Sequence, residues 1–312
     1  MTHQLAIIIP AYKSTFLPAA LDSIAAQTCQ DFTLYVGDDC SPEPIGDIVE
    51  QYRNQIDLIY QRFDTNLGGK NLVAQWERCI AMSKAEPYIW LFSDDDVMEP
   101  NCVEALLKQI DATKETYDLY HFDVKEIDEQ GRVTKQLPAY PSVLSAYDYY
   151  KGKSLGKYRS YVVENVFSRR IYEQAGGFKN FDLAWGSDVA TWCIFCGEKG
   201  MYKISDAKVC WRRSSENITP NISRSIAERK MMANCKLLAW TYDYFGNNEI
   251  VWKHNRRTFI RVIRRYRKLV NQERIHQAFK LFFDTHGHKK QRLLVYFASI
   301  IPNSLYKICK IL

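Results

Sequence analysis

The sequence predicts an α/β chain, a three-layer sandwich around a mostly parallel central sheet, followed by a helical C-terminal region. Three observations predict it. Short apolar runs alternate with amphipathic stretches through the first third of the chain, the pattern of strand–helix repeats. Those runs are continuously apolar, as strands covered on both faces are. After about Ser223 the strand patterns stop, and the remainder is helical, basic and aromatic.

In order, LAIII from Leu5 reads as the first buried strand and FLPAALDSIAAQ as the helix that returns from it. FTLYVG is a second strand, IGDIVEQYR a helix and IDLIYQRF a third strand. NLGGKNLVAQWERCIAMSKA is a loop running into a helix, and YIWLF is the fourth strand. Pro100 and Asn101 open the helix after it. From about Tyr117 the pattern becomes mixed: YDLYHFDVKEID, the turn EQGR, SYVVENVFSRR, then GGF, the loop KNFDLAWGSD and a helix from about Asp188. We divide the chain into 1–222, with halves 1–116 and 117–222, and a helical basic region 223–312.

With 312 residues, 46% of them hydrophobic, the chain can bury a large core. A net charge of +6 is too weak to argue for nucleic acid. The nine cysteines form no disulfide framework, and the N-terminus lacks a signal peptide's basic start. A reduced, cytoplasmic compartment fits, with peripheral attachment at the inner face of a membrane. Cys193 and Cys196 in CIFC have redox or zinc spacing without a second pair, so core thiols on a helix are the simpler reading. Asn217 and Asn221 match glycosylation sequons, which mean little in such a compartment. The apolar run LLVYFASIIP from Leu293 is about half of a bilayer span and suits lying on a membrane rather than crossing it.

The polar residues locate a site. In open parallel sheets ligands bind beyond the carboxyl ends of the strands. Here Pro10–Tyr12 end strand one, Asp38 and Asp39 strand two, Asp64–Gly69 follow strand three, and Asp94, Asp95 and Asp96 end strand four. Three like charges abutting an apolar strand are tolerated if a divalent cation neutralises them. A helix N-terminus is the alternative, and it accounts for one or two acids rather than three. Asp38 and Asp39 suit the N–H of a base or ribose hydroxyls, with turn formation as the plainer role.

IIIPAYK, DDCS, SDDDVMEP and GGFKNFDLAWGSDVATWCIFCGEKG, in that order, resemble inverting glycosyltransferases of family 2, whose Rossmann-like fold is called GT-A. The resemblance covers roughly the first 220 residues. It implies a nucleotide-diphosphate sugar donor, UDP-linked by the match of Asp39 to the base-contacting region, and Mg²⁺ or Mn²⁺ as cofactor. It assigns Asp95 as the main metal ligand beside Asp94 and Asp96, with Asp94 also near the ribose. NLGGKNLVAQW resembles the Asn-x-Gly stretch, so Asn66 and Gly68 join Pro10, Tyr12, Asp38 and Asp39 as donor-binding candidates. CWRRSSENIT resembles the segment that closes over the diphosphate, with Arg212 as its phosphate partner and Arg213 as a solvated neighbour. Cys40 stands where the family has a small or flexible residue.

Departure of the diphosphate builds negative charge, and a bound cation stabilises it without a proton. The acceptor hydroxyl needs a base on the opposite face. The resemblance places that base at Asp188; local sequence alone reads it as a helix N-cap. Trp185 would stack on a sugar or pack. Glu164 and Asn165 would reach the acceptor, or Glu164 would form a strand-end salt bridge. The implied acceptor is a glycan or lipid-linked hydroxyl in surface polysaccharide, lipopolysaccharide or capsule synthesis. Two rival readings are a nucleotidyltransferase, which would want a Gly-rich, Arg-containing loop where PAYKSTF stands, and a sugar-nucleotide-binding scaffold without catalysis.

In WKHNRRTFIRVIRRYRKLV, Phe259, Val262, Ile263, Tyr266 and Val270 share a helical face flanked by cations. Residues 253–270 therefore suit an anionic membrane surface, or else pack inward with a solvated basic face.

Overall fold

The strand Leu5–Ala11 (β1) is wholly buried from Leu5 to Ile9 because it has parallel neighbours on both sides within a ten-stranded sheet. This computed structural model describes residues 3–217 and 223–301. Asn221, the boundary at residue 222 and the Pro302 end of the apolar run lie outside the described residues. The chain forms two compact units, Met1–Asn180 with Thr191–Glu216, and Phe181–Ala190 with Asn217–Leu312.

In the first unit, α1 (Leu17–Ala25) leads to β2 (Phe32–Asp38), α2 (Ile45–Glu50), β3 (Leu58–Arg62), α3 (Leu72–Ile80) and β4 (Tyr88–Leu91). There follow β5 (Val97–Met98), α4 (Cys102–Ala112), β6 (Leu119–Ile127), β7 (Val133–Gln136), β8 (Val143–Leu144) and α5 (Ala146–Ser154). The unit ends with β9 (Asn165–Ser168), α6 (Arg169–Ala175), most of α7 (Ser187–Phe195) and β10 (Met201–Arg212). The sheet order is β3-β2-β1-β4-β9-β6-β10-β5, with β7 on β6 and β8 on β10. β1, β2, β3, β4, β6 and β10 point one way; β9 and the short strands run against them.

Local chemistry sets the helix limits. Asn71, Ser145 and Ser168 cap α3, α5 and α6 by accepting N–H bonds from Ala74, Asp148 and Ile171. Gly176 ends α6 in the left-handed conformation at φ 71°. Trp90 stacks on Phe122 at 5.0 Å and donates Nε1–H to the Val163 carbonyl at 2.7 Å, so one fully buried indole joins β4, β6 and the turn before β9.

Registers then align the functional loops. Ala11 pairs with Asp38 and Ile8 with Leu91, so β1, β2 and β4 end along one edge. The link after β2 turns sharply at Cys40, which sits at φ 54°, and Ser41 N–H closes the turn on Asp38 Oδ1 at 2.8 Å. A left-handed position explains why a flexible residue is expected there.

The second unit is built from α8 (Arg224–Tyr244), α9 (Glu249–Tyr266), α10 (Gln272–His286) and α11 (Arg292–Ile300), together with the segment Phe181–Ala190. Phe259 of α9 stacks on Phe282 of α10 at 4.1 Å, and Val262, Ile263, Tyr266 and Val270 are buried. The apolar face read as membrane-seeking is therefore interior, and the packed alternative holds. Among the described residues no helix is long and apolar enough to cross a membrane.

Replacing Cys40 with Gly exchanges a left-handed side chain for a residue that tolerates that conformation. We expect the unfolding free energy to rise by roughly 0.5–1 kcal/mol, the left-handed cost less glycine's extra chain entropy. Urea denaturation checks this; an unchanged or lower value means that the turn carries no strain.

Candidate active site

Two carboxylates at the end of β2 hold the neighbouring loops in place. Asp38 is fully buried and accepts from Tyr60 OH at 2.8 Å and Arg62 Nη1 at 2.7 Å, besides Ser41. Asp39 accepts the backbone N–H groups of Leu67 and Gly68, each at 2.7 Å, and Arg78 Nη2 at 2.7 Å. It thus fixes the loop of Asn66 and Gly68, where a Cβ on Gly68 would meet Asp39 Oδ2 at 2.6 Å. Asn66 in turn accepts from Gly69 N–H at 2.8 Å.

The β4 end is bound to the β1 end in the same way. Asp94 Oδ2 accepts Tyr12 N–H at 2.9 Å and Lys13 N–H at 3.0 Å. The Tyr12 carbonyl accepts Ser41 Oγ–H at 2.6 Å, which closes a link from β4 through β1 to β2. Tyr12 itself is exposed and Pro10 half-buried beside it. Asp95 is buried and bonds to the Ser93 hydroxyl, while Asp96 Oδ1 accepts Arg212 N–H at 2.7 Å.

Burial and charge crowding act together on this edge. Burial, then the Asp95 charge, push the Asp94 carboxyl up to about 6, against the two amides that favour its anion. The same two causes raise Asp96 well above the ordinary range. The three side chains nevertheless reach toward three different segments. Among the described residues no group of three or more His, Cys, Asp or Glu side chains converges to hold a metal. An all-oxygen set of carboxylates is the donor chemistry that a hard cation prefers, and Mg²⁺ needs only one or two protein carboxylates.

Arg212 is held by protein partners on several sides. It is buried, donates Nε–H to the Asp95 carbonyl at 2.7 Å and Nη1–H to the Asp128 carbonyl at 2.9 Å, and lies over Phe16 at 4.7 Å. Its visible work is to clamp the aspartate segment onto β10. Arg213 pairs with Glu126 at 2.7 Å, mostly in solvent.

A second polar group sits on the β6–β9 side of the same unit. Glu164 and Asn165 are fully buried and His121 nearly so. Glu164 Oε1 accepts Tyr161 N–H at 2.7 Å, so an amide rather than the salt bridge considered from sequence holds it. Asn165 Oδ1 faces His121 Nδ1 at 3.1 Å. Glu164 Oε2, Asn165 Nδ2 and His121 Nε2 have no hydrogen-bond partner among the described residues. Buried polar atoms are rarely left so, and this set offers both acceptor and donor capacity for a hydroxylated ligand. Burial raises Glu164 to about 7 and lowers His121 to about 4.

Asp188 and Trp185 belong to the second unit. Asp188 is half-buried in the first turn of α7. Trp185 has the Lys230 ammonium over its ring at 4.4 Å, so one face is packed. Its loop is fastened by Asp182, which accepts two bonds from Arg229 at 2.9 and 2.6 Å. Cys193 and Cys196 are buried free thiols, as core residues are.

Four supporting residues escaped the sequence reading. Arg62 and Arg78 neutralise Asp38 and Asp39. Glu77 accepts Phe178 N–H at 2.6 Å and bonds Tyr172 OH, pinning the Gly-Gly-Phe turn. His121 is the fourth; a lone imidazole inside the apolar run LYHF was the available signal.

The fold and this acid-lined strand edge define a GT-A type α/β protein. Residues 6–174 match the family described as Glycosyl transferase family 2, and the chain belongs to that family. Among curated relatives, the poly(ribitol-phosphate) beta-N-acetylglucosaminyltransferase TarS of Staphylococcus aureus is 34% identical over 96 residues, 30% of this chain and 16% of TarS. The glycosyltransferase GlyG of Streptococcus pneumoniae is 27% identical over 128 residues, 39% of this chain and 41% of GlyG. The chain thus spans less than half the length of these relatives. The crystal structure of S. aureus TarS 1-349 in complex with UDP-GlcNAc is similar in fold, with TM-score 0.57 and 16% identity over 94% of this chain and 91% of that one. GalNAc-T7 with UDP, GalNAc and Mn²⁺ is similar at TM-score 0.52 and 13% identity, over 74% and 47%.

Glu164 gives a test of the buried polar group. The folded chain keeps this proton to about pH 7, whereas an ordinary glutamic acid releases it near 4.5. The folded state binds more protons between those values, so its stability falls as pH rises through that window. We expect Glu164→Gln to gain up to about 3 kcal/mol on the wild type from pH 4.5 to 7.5. Parallel denaturation curves at every pH would contradict it.

Proposed function

We propose that the protein is an inverting, metal-dependent glycosyltransferase. It moves a sugar from a nucleotide-diphosphate donor, UDP-linked, to a hydroxyl of a glycan or lipid-linked acceptor in surface polysaccharide assembly. The observation that carries this reading is the acid-lined edge where β1, β2 and β4 end, in a chain of this family. TarS in complex with UDP-GlcNAc and GalNAc-T7 with UDP and Mn²⁺ share the fold, which supports the uracil nucleotide and the cation.

In this reading the exposed Tyr12 and the Asn66–Gly68 loop, held rigid by Asp39, receive the nucleotide. Asp95, with Asp94 or Asp96 beside it, would hold Mg²⁺ or Mn²⁺, which supplies positive charge to the departing diphosphate. Because Asp94 is fastened through Oδ2 to two amides, its remaining oxygen has a fixed position and pays little ordering entropy on binding. Glu164 and Asn165, with His121 beside them and neutral at physiological pH, lie enclosed behind the acceptor side, and their unpartnered atoms would meet acceptor hydroxyls only on local opening of that wall. Asp188, carried on the first turn of α7, takes the proton of the attacking acceptor hydroxyl. A single displacement with the base opposite the leaving group inverts the anomeric centre.

Two substitutions separate these roles. Asp188→Asn should lower sugar transfer by about 10²–10⁴-fold while leaving UDP affinity within about twofold. Asp95→Ala should abolish the Mn²⁺ dependence of UDP binding in calorimetric titration. Loss of donor affinity in the first variant, or an unchanged Mn²⁺ response in the second, would overturn the assignment. Donor hydrolysis by the wild type distinguishes an enzyme from a sugar-nucleotide-binding scaffold.

A further inference from the structure

The helix α11 presents its apolar residues in two opposed rows. Val295, Ala298 and Ser299 are buried, and this row faces α9 within the second unit. Leu293, Tyr296, Phe297 and Ile300, at the i, i+3, i+4 and i+7 spacing of one helical stripe, are exposed instead. Leu293 is 65% and Phe297 52% exposed, and Leu294 extends the stripe at its start. The helix is not loosely attached. Arg264 Nη1 of α9 donates to the Ala298 carbonyl at 2.9 Å and the Ile301 carbonyl at 2.8 Å, satisfying its C-terminal end. Arg256 Nη1 holds Gln291 Oε1 at 2.7 Å at the other end. Cations of the basic helix thus hold α11 in a fixed orientation with its stripe outward.

We propose that α11 is a docking surface for an anionic lipid bilayer. Two features on the page select this occupant. First, the stripe adjoins exposed Lys289, Lys290 and Arg292, and from Thr285 to Leu312 the sequence has no Asp or Glu. Cations beside an apolar patch match anionic headgroups above a hydrocarbon layer. Second, a twofold contact between copies of this patch would set the three cations against their own counterparts. Nine residues are too few to cross a bilayer, so α11 lies in the interface plane, with Leu293, Phe297 and Ile300 below the headgroups and the Tyr296 hydroxyl at their level. Of the two segments whose sequences suit a membrane surface, residues 253–270 have their apolar face packed, whereas α11, within LLVYFASIIP, keeps an exposed stripe. The inference does not depend on the transfer chemistry.

The test is co-sedimentation of the full chain with vesicles of phosphatidylcholine alone and of phosphatidylcholine mixed with phosphatidylglycerol. The wild type should bind the anionic vesicles at least roughly tenfold more strongly, less so at high salt. The double variant Leu293→Glu, Phe297→Glu should lose roughly tenfold or more of that binding. Lys289→Glu with Lys290→Glu should weaken it as well, and Lys253→Glu on α9 should retain most of it. Unchanged thermal unfolding and donor hydrolysis in these variants would show that fold and proposed activity are intact. Equal vesicle binding by wild type and the double variant would overturn the proposal. So would loss of binding only in Lys253→Glu, or a concentration-dependent dimer that the double variant abolishes while vesicles bind neither protein.

Discussion

Asp94 accepting two backbone N–H groups from the turn after β1 is the contact on which the arrangement of the strand edge depends. Three acids in sequence at the end of an apolar strand repel one another, and each resolves that repulsion differently. Asp94 uses amides, Asp96 an amide of β10, and Asp95 a neighbouring hydroxyl. The same amides that relieve the charge also tie β4 to β1, and through Tyr12 and Ser41 to β2. Electrostatic stress has thereby become positional order. What is left of the stress, the raised Asp94 and Asp96, is what a cation and a diphosphate would relieve.

The expected donor-site residues divide into those that face outward and those that hold them there. Asp38, Asp39 and Arg212 are almost wholly enclosed by protein partners, and removing one partner of a buried charge is costly. Tyr12 is exposed and the Asn66–Gly68 loop is half-buried, so in the proposed reading these are the parts that would meet a nucleotide. A similar division appears in the second unit, where α9 sets its apolar face against α10 and two of its cations, Arg256 and Arg264, on the ends of α11.

Much of this was legible in the sequence. Continuously apolar runs mark the buried parallel strands, and the strand-end rule locates the acidic edge from sequence alone. Local spacing said nothing about partners distant in sequence. Arg62 and Arg78 reach Asp38 and Asp39 across 24 and 39 positions. His121 meets Asn165 across 44, and no periodicity records that encounter. For Trp185 and the apolar face of residues 253–270 the sequence left recognition and packing both open, because an amphipathic stripe or a single aromatic looks the same in sequence whether its cover is ligand, lipid or another helix. The 253–270 face is interior, and one face of Trp185 is covered by Lys230.

The account stands or falls on whether the acidic edge takes up a cation together with a nucleoside diphosphate. Calorimetric titration of the wild-type chain with UDP near pH 6, with and without Mn²⁺ and in two buffers of different ionisation enthalpy, measures this directly. The account predicts tight binding only with Mn²⁺ and a net release of protons, because a cation favours the charged form of Asp94, whose carboxyl is pushed up to about 6. Binding that is indifferent to Mn²⁺ and displaces no protons would contradict it.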